Sequence, residues 1–158
     1  MFLVYGLQKS GISVAKLLIK KNKEIKIWDD DIKIRKNLKK IFNKKLFLDP
    51  IREDLNSFEK IYVSPGISLK QKKFKLKNKS VEFYRDLNLY TSYLNFEKII
   101  AITGTNGKST TTKLIGNILT KNKRNTFIGG NIGEPLCNAL IRKKKFNFHV
   151  IELSSFQL

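Results

Sequence analysis

The stretch Lys98–Thr112, K-I-I-A-I-T-G-T-N-G-K-S-T-T-T, decides the fold. Ile99, Ile100, Ala101 and Ile102 form a short unbroken apolar run, the pattern of a strand buried on both faces. Thr103-Gly104-Thr105-Asn106-Gly107 follows. Lys108-Ser109-Thr110 then opens a stretch with Leu114, Ile115, Ile118 and Leu119 at helical spacing. Strand, glycine loop, Lys-Ser and helix in that order make a phosphate-binding loop. Glycines let the backbone turn sharply and bring its N–H groups to phosphate oxygens. The helix start adds unpaired donors and a partial positive charge. Lys108 reaches the terminal phosphates, and the Ser109 hydroxyl is placed to ligate Mg²⁺. The general pattern G-x-x-x-x-G-K-[ST] puts its first glycine at position 102, which here is Ile102, so the loop is a shorter variant starting at Gly104. The plainer alternative is a strand–turn–helix junction in which Gly104 and Gly107 serve only the turn.

Outward from this stretch, the N-terminal half reads as another βαβ unit. Phe2–Gly6 is a first buried strand. Ser10–Lys21 is a helix with an apolar face, and Glu24–Asp29 a second strand ending in an acid. The intervening Gly6-Leu7-Gln8-Lys9-Ser10-Gly11 departs from the dinucleotide fingerprint at Gln8, the position whose glycine lets backbone approach a pyrophosphate. This argues against an NAD enzyme although Asp29 stands near the ribose-binding spacing. A lysine-rich helix over 32–43, a short strand over 45–49 and a strand over 59–63 come next. Ser64-Pro65-Gly66-Ile67 then lies at the C-terminal end of that strand, where open α/β sheets bind ligands; a plain turn is the alternative. Val81–Tyr84 reads as a strand and Asp86–Asn95 as a helix. Strand order restarts at Lys98, so two domains are expected, 1–95 and 96–158. In the second, 125–130 is a strand, Pro135 starts a helix, and Phe148–Glu152 is a strand with an acid at its C-terminal end. His149, the only histidine, is assigned no role.

Composition narrows the classes. The 158 residues are 41% hydrophobic, enough for a core, and no run is long enough to span a membrane. The N-terminus lacks a basic leader, so no signal peptide is expected. One cysteine, Cys137, precludes an internal disulfide and fits a reducing compartment, the cytoplasm. The net charge of +19 invites a nucleic-acid reading. Yet 27 of the 32 basic residues are lysine, spread over almost every segment, and only Arg35, Arg52, Arg85, Arg124 and Arg142 are arginine. Without aromatic–basic interleaving, a solvated lysine surface is the expectation, with no specific nucleic-acid partner.

The motif G-T-N-G-K-S-T resembles the ATP loop of the Mur ligases and their folylpolyglutamate synthetase relatives. Gly129-Gly130-Asn131-Ile132-Gly133 and Glu152-Leu153-Ser154-Ser155-Phe156-Gln157-Leu158 resemble the D-glutamate-adding branch of the Mur ligase family, with E-L-S-S-F-Q-L the discriminating piece. The resemblance implies an α/β architecture: a Rossmann-like N-terminal domain, then the start of a P-loop central ATPase domain. It implies an ATP-dependent ligase of peptidoglycan synthesis that joins D-glutamate to UDP-N-acetylmuramoyl-L-alanine through an acyl phosphate, working as a monomer. ATP would lie along Gly104, Thr105, Asn106, Gly107, Lys108, Ser109 and Thr110. Lys108 would be catalytic, neutralising charge on the transferring phosphoryl group. Ser109 and Glu152, both hard oxygen donors, would hold Mg²⁺.

By the same resemblance, Lys9, Ser10, Asp30, Ser64 and Gly66 would contact the uridine nucleotide, while Asn131 and Ser154 line the reacting end of the substrate. Helix N-capping by Asp29–Asp31 ahead of Ile32 is an equal alternative. Family members continue beyond the equivalent of Leu158, with a modified lysine, a second metal site and an amino-acid-binding domain. The chain therefore matches an N-terminal portion and is expected to be inactive alone. The rival classes are a non-catalytic nucleotide-binding module and a basic nucleic-acid binder, which nucleotide preference and salt-dependent DNA binding would separate.

Overall fold

Phe2–Tyr5 (β1) is buried along its whole length, as its unbroken apolar sequence requires. In the computed structural model, which describes residues 1–50, 54–70, 81–95 and 97–154, the chain divides into two compact units, Met1–Asp86 and Leu87–Leu158. Ser155–Leu158, the end of the E-L-S-S-F-Q-L motif, lies outside the described residues.

In the first unit β1 is followed by α1 (Lys9–Lys20), β2 (Ile25–Trp28), α2 (Ile32–Leu38), β3 (Lys60–Val63) and β4 (Glu82–Tyr84), with α3 (Asp86–Thr91) starting at its end. The four strands run parallel in the order β2-β1-β3-β4, with Phe2 opposite both Ile25 and Lys60. Side chains alternate across a strand, so Leu3, Tyr5, Ile61 and Val63 form one core with Phe58 and Val81. The buried stripe of α1, including Val14, Ala15, Leu17 and Leu18, packs on the sheet. Two glycines set the junction of β1 and α1. Gly6 adopts a φ of +90°, and a Cβ on Gly11 would lie 1.7 Å from the Gly6 carbonyl oxygen. The helix can rise this close to the strand only without a side chain there. Asn22 closes α1 in the left-handed conformation, with Lys23 N–H donating to Leu18 O and Asn22 N–H to Ile19 O.

In the second unit β5 (Lys98–Ile102), α4 (Lys108–Lys121), β6 (Thr126–Gly130), α5 (Asn138–Ile141) and β7 (Phe148–Glu152) form a parallel sheet in the order β5-β7-β6. Central β7 is the buried strand. β5 differs from the expected burial on both faces: Ile99 is 44% exposed, because β5 is an edge of the sheet among the described residues. Leu114 and Ile118 of α4 are likewise 58% and 51% exposed. His149 is buried on one face of β7 against the rings of Phe127, Phe146 and Tyr90, and its Nδ1 is hydrogen-bonded to the Tyr90 hydroxyl.

Other elements are shorter than the periodicity predicts. The 32–43 helix ends at Leu38, and the expected strand at 45–49 is a 3₁₀ turn at Lys44–Leu46 plus one bridge between Ile27 and Phe47. The Asn43 side chain accepts from Lys45 N–H and captures that backbone locally. The 86–95 helix stops at Thr91, where the Thr91 and Ser92 hydroxyls bond back to carbonyls of Leu87, Asn88 and Leu89. The helix expected from Pro135 is regular only from Asn138.

Gly11→Ala is expected to destabilise the first unit by about 3 kcal/mol or more, since backbone must move to admit the methyl group. Gly66→Ala, with no atom within 4 Å of its would-be Cβ, should stay within about 0.5 kcal/mol of the parent. Urea unfolding followed by fluorescence of Trp28, the only tryptophan, measures both.

A pH dependence follows from His149. Burial, the largest effect, pushes its pKa below the ordinary 6.5, against a smaller upward pull from Glu97. The unfolded chain therefore binds this proton more readily than the folded one. Stability from the neutral imidazole is present above pH 6.5 and is lost as pH falls through that value toward the folded pKa. The second unit should melt at a lower temperature at pH 5.5 than at pH 7.5, and His149→Phe should shrink that difference.

Candidate functional site

The glycine loop is shaped by two left-handed residues. Gly104 has φ +135° and Gly107 φ +75°, and no atom lies within 4 Å of a Cβ built on either. An L side chain is disfavoured at both for backbone reasons alone. Gly107 is the N-cap of α4, so the first N–H groups of that helix follow the loop directly. Gly104, Thr105, Asn106, Gly107 and Thr110 are exposed, while Lys108 and Ser109 are half-buried. Lys108 Nζ donates to Gly104 O at 2.6 Å and Thr105 O at 3.3 Å, folding across its own loop.

Beneath the loop lies Glu152, only 1% exposed. Its Oε2 accepts from Ser109 Oγ at 2.7 Å and its Oε1 from Asn131 Nδ2 at 2.8 Å. Backbone bonds draw the same three segments together: Asn131 N–H donates to Glu152 O, and Leu153 N–H to Ile102 O. Gly130 is required here, because a Cβ on it would sit 2.3 Å from Glu152 O. The second unit thus brings Ser109, Asn131 and Glu152 into contact, with half-buried Ser154 two residues beyond Glu152.

The set can be tested for a hard divalent cation. A buried carboxylate is costly unless its charge is compensated. No lysine or arginine is paired with Glu152 among the described residues. Among those residues no group of three or more acids, histidines or cysteines is placed to hold a metal ion. One carboxylate and one hydroxyl suit Mg²⁺, which keeps waters and takes its remaining oxygens from phosphates. The residues present fit that ion.

The first unit assembles a second group of residues at the C-terminal ends of β1, β2 and β3. Lys9 is exposed on the first turn of α1. Ser10 lines a small cavity with Gly11, Tyr62, Ser64 and Asp86. Ser64 Oγ donates to Gly6 O at 2.7 Å, and Gly66 is exposed at the tip of its turn. The three acids after β2 all face protein groups. Asp29 is buried and accepts from Leu7 N–H at 2.6 Å and Asp31 N–H at 2.9 Å. Asp30 accepts from the Tyr5 hydroxyl, whose pKa is pushed up first by burial and then by that bond. Asp31 caps α2 through Lys33 N–H, as the capping alternative expects.

Two arginines were not singled out from the sequence. Arg35 donates to Asp29 O and Asp30 O, and its guanidinium lies 4.1 Å from the Trp28 ring centroid. Arg85 donates to the carbonyls of Val63, Ser64 and Ile67. The signal was present in composition. Where 27 of 32 basic residues are lysine, the arginines at 35 and 85 stand out, and each supplies a planar donor to several backbone carbonyls.

Comparisons with known proteins match both units. A profile of the Mur ligase MurD-like N-terminal domain matches residues 1–82, and one of the Mur ligase middle domain matches residues 102–158. The chain is 36% identical over 166 residues to the UDP-N-acetylmuramoylalanine–D-glutamate ligase of Wolbachia sp. subsp. Brugia malayi (strain TRS), covering 98% of the chain and 32% of the relative. It is 39% identical over 162 residues to the ligase of the same name from Clostridioides difficile (strain 630), covering 99% of the chain and 36% of that relative. The Rickettsia prowazekii (strain Madrid E) ligase is 38% identical over 157 residues, covering 98% and 34%. The chain spans about a third of the length of these curated relatives. With two consecutive domain profiles in the order the fold displays, the chain belongs to the Mur ligase family.

Proposed function

We propose that this chain supplies the uridine-nucleotide-binding and ATP-binding parts of an ATP-dependent amide ligase of peptidoglycan synthesis. The reaction is addition of D-glutamate to UDP-N-acetylmuramoyl-L-alanine. The observation that carries this reading is the buried Glu152 carboxylate held between Ser109 of the phosphate loop and Asn131 of the neighbouring glycine turn. It joins an ATP-type loop to the turn from which the substrate end would be reached. The names of the relatives support the choice of amino acid and acceptor.

In this reading the N–H groups from Gly104 to Ser109 cradle the ATP phosphates, with Thr110 following on the first turn of α4. Lys108 exchanges its loop carbonyls for the β- and γ-phosphate oxygens and neutralises charge during transfer. Ser109 and Glu152 would hold Mg²⁺, which when bound would supply electrostatic stabilisation to the phosphoryl group. The substrate carboxylate attacks the γ-phosphorus, giving an acyl phosphate and ADP. The amine of D-glutamate then adds to the acyl carbon, and phosphate leaves with the C–O bond pair. Asn131 and Ser154 orient the acyl end. Lys9, Ser10, Ser64 and Gly66 contact the uridine nucleotide, and Asp30 shapes the loop beside it through Tyr5. No described helix is long and apolar enough to cross a membrane. With the buried thiol of Cys137, we place the activity in the cytoplasm, in a monomer.

The expected outcome is that the chain binds Mg-ATP, measured by titration calorimetry. Lys108→Ala should weaken that binding at least tenfold, the loss of roughly 1.5 kcal/mol or more for a charge-assisted contact. Glu152→Gln should raise the Mg²⁺ concentration needed for half-maximal nucleotide binding. Unchanged ATP affinity in Lys108→Ala would remove Lys108 from the site. An unmoved Mg²⁺ titration would leave Glu152 a structural carboxylate.

A further inference from the structure

Ser64–Ile67 sits at the C-terminal end of β3, the end of a parallel sheet from which ligands are bound. That end presents backbone carbonyls, whose partial negative charge opposes an anionic ligand. Arg85 lies one residue beyond β4 and engages three of these oxygens. Its Nη1 donates to Val63 O at 3.1 Å, Ser64 O at 2.7 Å and Ile67 O at 3.2 Å, and its Nη2 to Ile67 O at 3.2 Å. The turn is closed on itself by Ile67 N–H to Ser64 O, so that one guanidinium grips both of its ends.

The turn bears directly on the β1–α1 loop. Ser64 N–H donates to Tyr5 O at 2.9 Å and Ser64 Oγ to Gly6 O at 2.7 Å. A Cβ on Gly6 would lie 2.5 Å from Ile67 Cδ1 and 2.8 Å from Ser64 Cβ. A few tenths of an ångström of movement in the turn would therefore be felt at Gly6, and through it at Lys9 and Ser10. The three acids after β2 add no positive charge, and each is occupied by protein donors. Arg85 is thus a cation built into the backbone at the β3 part of this end of the sheet, as Arg35 is after β2.

We infer that Arg85 is a positioning residue for the nucleoside diphosphate of the substrate, an inference that rests on the first unit being the uridine-nucleotide site. It holds the Ser64–Ile67 turn against the β1–α1 loop and offsets the carbonyl charge that would face the diphosphate. The guanidinium matters because two of its nitrogens converge on Ile67 O while one of them also reaches Val63 O and Ser64 O, a forked contact that the single nitrogen of an ammonium does not copy.

The test uses the 158-residue chain, with UDP and uridine as probes followed by titration calorimetry, and the melting temperature recorded alongside. The parent is expected to bind UDP. Arg85→Met, which keeps an apolar stem of similar length, should weaken UDP at least tenfold and uridine less, with Mg-ATP binding unchanged. Arg85→Lys should keep the parent melting temperature and still weaken UDP severalfold. It decides the matter if Arg85→Met fails to fold. UDP affinity within twofold of the parent in the folded variants would overturn the role of Arg85 while leaving the nucleotide site standing. Equal losses for UDP and uridine with a lowered melting temperature would reduce Arg85 to a structural tie. Absence of UDP binding by the parent chain would overturn the nucleotide site itself, and the inference with it.

Discussion

The second unit depends on one buried carboxyl side chain. Glu152 ends the central strand with almost no exposure, and both its oxygens are bound by side chains from separate segments. Neutral donors compensate the charge of a buried carboxylate only partly. The same arrangement ties the start of α4 to the ends of β6 and β7. Gly130 and Ser109 are constrained by the one carboxylate, the first because its backbone must approach and the second because its hydroxyl must reach. Structure and chemistry at this point have a single physical origin.

The first unit depends instead on close approach at two glycines. Gly11 meets the backbone of Gly6 directly, while the side chains of Ser64 and Ile67 occupy the space that a Cβ on Gly6 would need. Gln8 stands exposed at the N-cap of α1. The first and last glycines of the dinucleotide-like pattern thus keep their packing tasks, while the middle position presents a side chain. That combination retains a nucleotide fold and changes what the first turn can approach.

Much of this was legible in the residues. Hydrophobic runs and glycine positions gave the parallel strands, and the order Gly107-Lys108-Ser109 placed the start of α4. Burial of β5 was misread because an apolar run reports what a strand could bury, and its neighbours are a property of the whole sheet. Helix ends were overextended at Leu38 and Thr91, where polar side chains and turn bonds outweigh periodicity. Arg35 and Arg85 escaped notice because their partners are backbone carbonyls, which have no sequence signature. Asp29–Asp31 could be read as ligands or as caps, and only the positions of Leu7 N–H, the Tyr5 hydroxyl and Lys33 N–H show what they face.

The bonds from Lys108 to Gly104 O and Thr105 O have a consequence for the thermodynamics of binding. A free lysine side chain gives up roughly 1.5–2 kcal/mol of rotamer entropy when it is fixed. Here much of that loss is incurred in the folded chain itself, with the ammonium already held beside the glycine turn. In the proposed site, engagement of a phosphate would then be a short transfer between two sets of oxygens. The loop is preorganised by its own cation, and affinity gains from an ordering step completed before the ligand arrives.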